Sequence, residues 1–290
     1  MPVTEADPLA RLRRRATWRR AAHLLAEFRY EQPDPARFYT ALARDTADLL
    51  ADLYGDVCDR DLNGGDLEGT IVLDVGGGPG YFADEFARRG AHYYSVEPDP
   101  SEMHAAGLPQ RSSVRGSGTA LPFATDSVDI CFSSNVAEHI AAPWRMGEEM
   151  LRVTRPGGLV VYSYTLWYGP FGGHEMGLTH YLGGARAARW YTRRHGHPPK
   201  NLYGTSLFAL TATDGLRWAR RAEAAGAGRL VAALPRYLPA RLWPIMRIPL
   251  LREVLGSNLM LVFVAAEPPV RHSSAGRCRW WCDGPRSRRE

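Results

Sequence analysis

The chain has almost no lysine. Lys200 is the only one, so 35 of the 36 Lys and Arg residues are arginine (36 less 1). That one-sidedness reads as codon bias in a GC-rich genome rather than selection for forks that grip phosphate. Long apolar runs are also missing: no segment approaches the roughly 20 uninterrupted apolar residues that span a bilayer. The N-terminus carries an Arg cluster from Arg11 to Arg20 and lacks an apolar h-region, so neither a transmembrane helix nor a signal peptide is expected, and a cytoplasmic location is. Cysteine is scarce, with four in 290 residues. Cys58 and Cys131 fall in helical and strand patterns that pack them as small hydrophobes. Cys278 and Cys282 have zinc-like spacing but no second ligand pair, so a reduced protein without a metal is the expectation.

An excess of one charge is largely missing too. The formal charge is +5, but residues 267–290 hold six Arg against Glu267, Asp283 and Glu290, which gives +3 and leaves +2 for residues 1–266. The charge therefore does not demand nucleic acid, which is not an expected partner. What is present is ordinary for a globular protein: 45% hydrophobic and 23% charged residues, enough to bury a sizeable core. A length of 290 residues suits one large α/β domain, or one domain plus a substantial insertion.

Apolar residues recur at helical spacing over Leu9 to Arg29 (Leu12, Trp18, Leu24, Phe28) and Pro35 to Leu53 (Phe38, Leu42, Leu49, Leu50). Asp34 before Pro35 predicts an N-cap with proline in the first turn. These two helices make an N-terminal helical cap over residues 1–60. From residue 70 strand and helix alternate. Strands are predicted at Thr70–Val75, Ala91–Val96, Val128–Ser133 and Leu159–Tyr164, with helices at Tyr81–Arg89 and Trp144–Val153. This rhythm implies a mostly parallel sheet flanked by helices. Residues 166–204, rich in Gly, Pro, His and aromatics, interrupt it as an insertion. A helix at Thr211–Ala225 and strands at Arg229–Leu234 and Asn258–Val264 complete a domain over 61–266, and 267–290 is expected to be a disordered tail.

The turn after the first strand carries the chemistry. Asp74-Val75-Gly76-Gly77-Gly78-Pro79-Gly80 puts glycines where a backbone must turn sharply and approach a ligand. A dinucleotide fingerprint needs glycine three positions beyond Gly78, and Tyr81 stands there, so a nicotinamide-dependent oxidoreductase fits poorly. Glu97, which ends the second strand 21 residues after Gly76, suits a ribose hydroxyl pair. Strand, glycine loop, helix, strand and acid in that order predict a nucleoside site.

Val72–Gly80, Glu97, Leu121-Pro122-Phe123, Asp126-Ser127-Val128-Asp129, Glu138-His139 and Arg155-Pro156-Gly157-Gly158 resemble successive blocks of the type 11 class I methyltransferase family. The wider chain, to about residue 266, is similar to uncharacterised actinobacterial and especially mycobacterial methyltransferases. The resemblance implies a Rossmann-like α/β sheet, mostly parallel with its last strand antiparallel, and S-adenosyl-L-methionine as cofactor. It implies that Asp74, Gly76, Gly78 and Gly80 meet the methionine end, Glu97 the ribose, and Pro98 and Asp99 one face of the adenine. Ser117 and Gly118 would meet the adenine edge and Asn135 the sulfonium side. Many relatives carry Asp where Ser117 stands, and a hydroxyl there bonds the adenine amine more weakly.

Transfer from a sulfonium needs chiefly alignment, so metal-independent methylation of a hydroxyl or carboxyl group is expected. His174, Glu175 and His180, in the insertion after the fifth strand, are the candidate bases or orienting groups. His139 reads as a structural hydrogen bonder, and His195 and His197 as solvated. Trp167, Tyr168, Phe171, Tyr181, Trp190 and Tyr191 supply aromatic area for an apolar pocket. The stretch Leu234–Leu255 mixes Arg with Trp and Leu. It reads either as a helix packed between the last two strands or as a surface for a membrane or a lipid-like acceptor. A spermidine-synthase-like transferase would need carboxylates after the fourth strand, which are missing. A non-catalytic S-adenosylmethionine-binding protein would keep the loop and Glu97 without an acceptor pocket.

Overall fold

The computed structural model describes residues 7–58, 67–104, 107 and 112–266. The expected tail at 267–290, with Cys278 and Cys282, and the Asn63-Gly64-Gly65 break lie outside the described residues.

Seven strands form one sheet: β1 (Ile71–Val75), β2 (His92–Glu97), β3 (Ser113–Arg115), β4 (Val128–Ser134), β5 (Thr154–Thr165), β6 (Gly228–Leu234) and β7 (Asn258–Ala265). Their order is β3-β2-β1-β4-β5-β7-β6. The pairs among β1 to β5 are parallel, and β7 runs antiparallel to both β5 and β6. This is a Rossmann-like sheet, mostly parallel with its last strand antiparallel, as the sequence predicts. The chain winds outward from β1 to one side and returns at β4 to build the other, so the strand order reverses between β1 and β4. Crevices that take ligands form at that reversal, beyond the carboxyl ends of the strands.

Strand residues alternate between two cores, as the period of two requires. Val72, Ile130, Phe132 and Val161 face a buried cluster with Leu49, Leu50 and Leu53 of α3 (Pro35–Val57) and Phe86 of α4 (Ala83–Arg88). Leu73, Cys131, Val160 and Tyr162 face the other, with Met146 and Met150 of a helix at Pro143–Val153 and Trp218 of one at Ala212–Ala224. The N-terminal segment therefore does more than cap the domain: α3 is one of the helices that cover the sheet.

The first predicted helix is two. Ala10–Arg15 and Trp18–Phe28 are separated at Ala16-Thr17, because the Thr17 side chain accepts from the Arg20 N–H and caps a new helix. Asp34 caps α3 through the Arg37 N–H, as its place before Pro35 predicts. Within 166–204 lie a 3-10 helix at His174–Leu182 and an α-helix at Gly184–His195. The chain between β6 and β7 folds as a 3-10 helix at Ala240–Arg247 and a short helix at Pro249–Leu255.

Leu50 is fully buried in the cluster shared by α3 and the sheet. Leu50→Ala should cost about 2–5 kcal/mol and shift one cooperative transition in thermal or urea unfolding. A separate early transition confined to the N-terminal helices would show that α3 is not part of the sheet's core.

Candidate active site at the strand reversal

The glycine loop leaves the end of β1 with Gly76, Gly78 and Gly80 at φ of +86°, +53° and +87°, a region that costs any side chain. The first two glycines are packing demands. A Cβ on Gly76 would fall 2.5 Å from Val136 and one on Gly77 2.6 Å from Ser95. Gly78 differs, because a Cβ there would meet no atom within 4 Å. Its backbone therefore faces open space above the sheet edge. Tyr81, in the position where a dinucleotide fold needs glycine, stacks on Tyr39 at 5.1 Å.

Asp74 lies one residue inside this edge, buried, and accepts from the Tyr93 hydroxyl at 2.8 Å. Burial pushes its carboxyl up to about 7, and Glu97 adds to the rise; the Tyr93 bond and the Arg236 charge oppose it. Glu97 ends β2, two residues past the strand partner of Asp74. One Glu97 carboxylate oxygen accepts from the Asp99 N–H at 3.3 Å, and Asp99 caps the turn through the Ser101 N–H and hydroxyl. Pro98 and Asp99 are exposed beside it. Ser117 is exposed with its hydroxyl on Thr119, while Gly118 is buried against Met146 and Val75, the last residue of β1. The predicted cofactor residues from Asp74 to Gly118 thus gather along the ends of β1, β2 and β3.

Asn135 follows β4 at φ +57°. Its side-chain amide is already engaged: the nitrogen donates to the Tyr237 hydroxyl at 3.0 Å, and the oxygen accepts from Asn258 at 2.7 Å. The residue sits at the reversal, but its side chain braces the crossing from β6 and the start of β7.

The acceptor candidates divide. His174 and His180 turn inward, and the Nε2 of each is buried without a hydrogen-bond partner. Burial, followed by His139 and His180, lowers His174 to about 4, so its ring is neutral near pH 7. His180 Nδ1 lies 2.7 Å from the Gly177 carbonyl. Glu175 is exposed instead and accepts from Asn201 at 2.7 Å, apart from the two histidines. His139 and Glu138 stand beside His174, with the His139 and His174 rings 4.9 Å apart. His195 and His197 are exposed, and His195 stacks on Tyr191 at the end of its helix.

Comparison with known proteins fits this geometry. Residues 73–162 match the family described as "Methyltransferase domain". An uncharacterized methyltransferase of Mycobacterium marinum is 62% identical over 256 residues, 87% of this chain and 96% of that one. One of Mycobacterium tuberculosis is 60% identical over 253 residues, 86% of this chain and 96% of that one. The chain belongs to this methyltransferase family. Among solved structures, an S-adenosylmethionine-dependent methyltransferase of Mesorhizobium loti is similar at a TM-score of 0.46 and 15% identity, over 75% of this chain and 99% of that one.

The candidate site includes groups that sequence reasoning missed. Arg236 is buried, with its guanidinium donating to the hydroxyls of Ser134 and Thr46. Placed in a stretch read as a packed helix or a membrane surface, it instead reaches back over the sheet to the end of β4. No local pattern marks it, and Tyr237 beside it was equally silent. Glu138 was legible as half of the Glu-His pair, but its burial was not.

The raised carboxyl of Asp74 makes a testable statement about the methyltransferase fold. A group with a raised folded pKa contributes stability that is fully present below its unfolded value and is lost as pH rises through about 7. Asp74→Asn, which keeps the acceptor oxygen for Tyr93, should gain on the parent as pH rises from 4 to 8. The gap should widen by on the order of 1–4 kcal/mol. Urea unfolding at several pH values measures it, and a constant gap would show that the carboxylate is well solvated.

Proposed function

We propose that the protein transfers the methyl group of S-adenosyl-L-methionine to a hydroxyl or carboxyl oxygen of a small or lipid-like acceptor. The observation that carries this reading is the open floor at Gly78, flanked by the buried carboxyl of Asp74 and by Glu97 at the reversal of the strand order. The residues present fit the cofactor: the Gly78 backbone admits the methionine moiety, Asp74 suits its amino group, and Glu97 suits the ribose hydroxyls. Pro98, Asp99, Ser117 and Gly118 would border the adenine, and Asn135 would hold the boundary of the sulfonium side through its links to Tyr237 and Asn258.

The sulfonium carbon of the bound donor is already activated, which leaves the protein to align the acceptor and exclude water. The acceptor's proton must still go to a base. His174 and His180 present their Nε2 atoms inward for that contact, whereas Glu175, through Asn201, sets the loop on which His174 stands.

The lipid-like class draws on the surface next to the site. The helix Pro249–Leu255 buries none of its residues, and Ile248, Leu250, Leu251, Val254 and Leu255 are exposed. The loop after β5 adjoins it: Gly169 lies against Gly256, and the loop's Tyr168 and Phe171 are also exposed. An apolar surface at the rim of a site suits contact with lipid. Among the described residues no helix is long and apolar enough to cross a membrane, so any such contact is peripheral.

Calorimetric titration with S-adenosylmethionine, S-adenosylhomocysteine and NAD tests the reading. The first two should bind and NAD should not. Gly78→Val should abolish binding, and Glu97→Ala should weaken it by about 1.5–3 kcal/mol. Unchanged affinity in a folded Gly78→Val protein would refute this placement of the site. The lipid contact has its own check. The paired change Leu250→Ser and Val254→Ser should reduce sedimentation with phosphatidylglycerol vesicles and leave cofactor affinity unchanged. Equal sedimentation of parent and variant would remove the lipid surface from the proposal.

A further inference from the structure

Three side chains between the carboxyl ends of β4 and β5 have donor atoms turned toward one another. Glu138 and His139 lie on the 3-10 turn Ala137–His139 after β4, and His174 opens the 3-10 helix after β5. One ligand atom from each lies within 4.8 Å of those of the other two. The surroundings fix which atoms carry lone pairs. His139 Nδ1 sits 2.7 Å from the Ser206 carbonyl, and a carbonyl only accepts. The proton is therefore on Nδ1, and Nε2 is left as a free donor of electrons. Glu138 is 1% exposed; one oxygen accepts from the Thr165 N–H at 3.2 Å, and the other is sealed from solvent without a partner. His174 Nε2 is likewise sealed and unpartnered, on a residue held at φ +47°.

Buried polar atoms left without partners are rare and costly. Here two of them belong to side chains that, with His139, bring a ligand atom each to within 4.8 Å of the others. A direct carboxylate–imidazole hydrogen bond would have satisfied the Glu138 oxygen, and the side chains do not make one. A single cation between them would satisfy all three at once. We propose that Glu138, His139 and His174 form a binding site for one divalent transition-metal ion such as Zn2+. Two imidazole nitrogens and one carboxylate suit zinc or its first-row neighbours, whereas Mg2+ and Ca2+ prefer oxygen donors throughout. The His139 Nδ1–H on the Ser206 carbonyl is the outer hydrogen bond that orients a ligand imidazole. Bonds of about 2.0–2.1 Å place tetrahedral ligands roughly 3.4 Å apart, so donors within 4.8 Å of one another must close by up to about 1.4 Å.

Three protein ligands leave a coordination position for an oxygen from the acceptor, as catalytic zinc sites do. The role in turnover rests on the function proposed above, with His174 then holding the ion and His180 left as the base, and it replaces the expectation of a metal-free site. Binding of the ion does not depend on that function.

The test starts from full-length protein stripped with a chelator and titrated with Zn2+ by calorimetry, with Co2+ absorption as a second readout. The parent should take up one equivalent at micromolar affinity or tighter. Its melting temperature should rise by roughly 5 °C in excess ion, and Co2+ should give the visible bands of a four- or five-coordinate site. His174→Ala and His139→Gln should each weaken uptake at least tenfold and remove the thermal shift. His195→Ala, at an exposed histidine, should behave like the parent. His174 opens a 3-10 helix outside the sheet, so its variant retains the sheet; a Glu138→Gln protein that fails to fold leaves the two histidine variants to decide. No uptake by the folded parent, or equal uptake by His174→Ala and His139→Gln, overturns the site. Normal S-adenosylmethionine binding without metal uptake refutes this inference alone, and metal uptake without cofactor binding refutes the proposed function alone.

Discussion

Arg236 is a guanidinium, which cannot shed its charge, and it is buried at 4% exposure beneath the N-terminal helices. Its terminal nitrogens donate to Ser134 at the end of β4 and to Thr46 on α3. Asp45, next to Thr46, is held by Arg20, which also donates to the Arg236 carbonyl at 3.1 Å. A buried charge without partners costs about 3–5 kcal/mol, and these partners come from three separate parts of the chain. They meet in one arrangement only: α2 (Trp18–Phe28) and α3 over the sheet, with the chain after β6 drawn back to β4. The next residue, Tyr237, then reaches Asn135, which bonds Asn258, which accepts from Ser163. One charge thus fixes the roof over the strand reversal, and its field reaches down to Asp74.

What could be read from the sequence is what is locally encoded. The alternation of Val72 and Leu73 between two cores, the spacing of Gly76, Gly78 and Gly80, and Glu97 at a strand end are each set by residues within one element and its turn. Asp34 before Pro35 is local in the same way, whereas the cap of the last long helix, open in the sequence among Thr211, Thr213 and Asp214, is Thr211. Thr17 was equally local, yet the apolar spacing on either side of it outweighed a cap that splits the helix.

Other features depended on distance. The helix Gly184–His195 buries only Gly184, Ala187 and Ala188, a stripe too narrow and too small to stand out as a period. Strand β3 has three residues and no apolar run, and it exists because Ser95 to Glu97 offer a ladder beside it. Arg236 meets Ser134 and Thr46 across 102 and 190 positions of sequence. A charged residue in a proline-broken apolar stretch looks like a surface until those partners are known. The tautomer of His139 likewise depends on Ser206, 67 residues away.

This division has a functional consequence. On the proposed function, the cofactor half of the site would rest on backbone: glycines at fixed φ after β1, beyond the ends of packed parallel strands. The acceptor half is built from side chains on the connections after β4 and β5, and their positions are set by single hydrogen bonds to distant carbonyls and amides, such as Glu138 to Thr165, His139 to Ser206 and Glu175 to Asn201. Each of those bonds can be remade by one substitution without disturbing the sheet. A methyltransferase built this way can keep its donor chemistry while its acceptor changes. On the proposed function, acceptor specificity would therefore lie in the connections after β4 and β5 and not in the glycine loop.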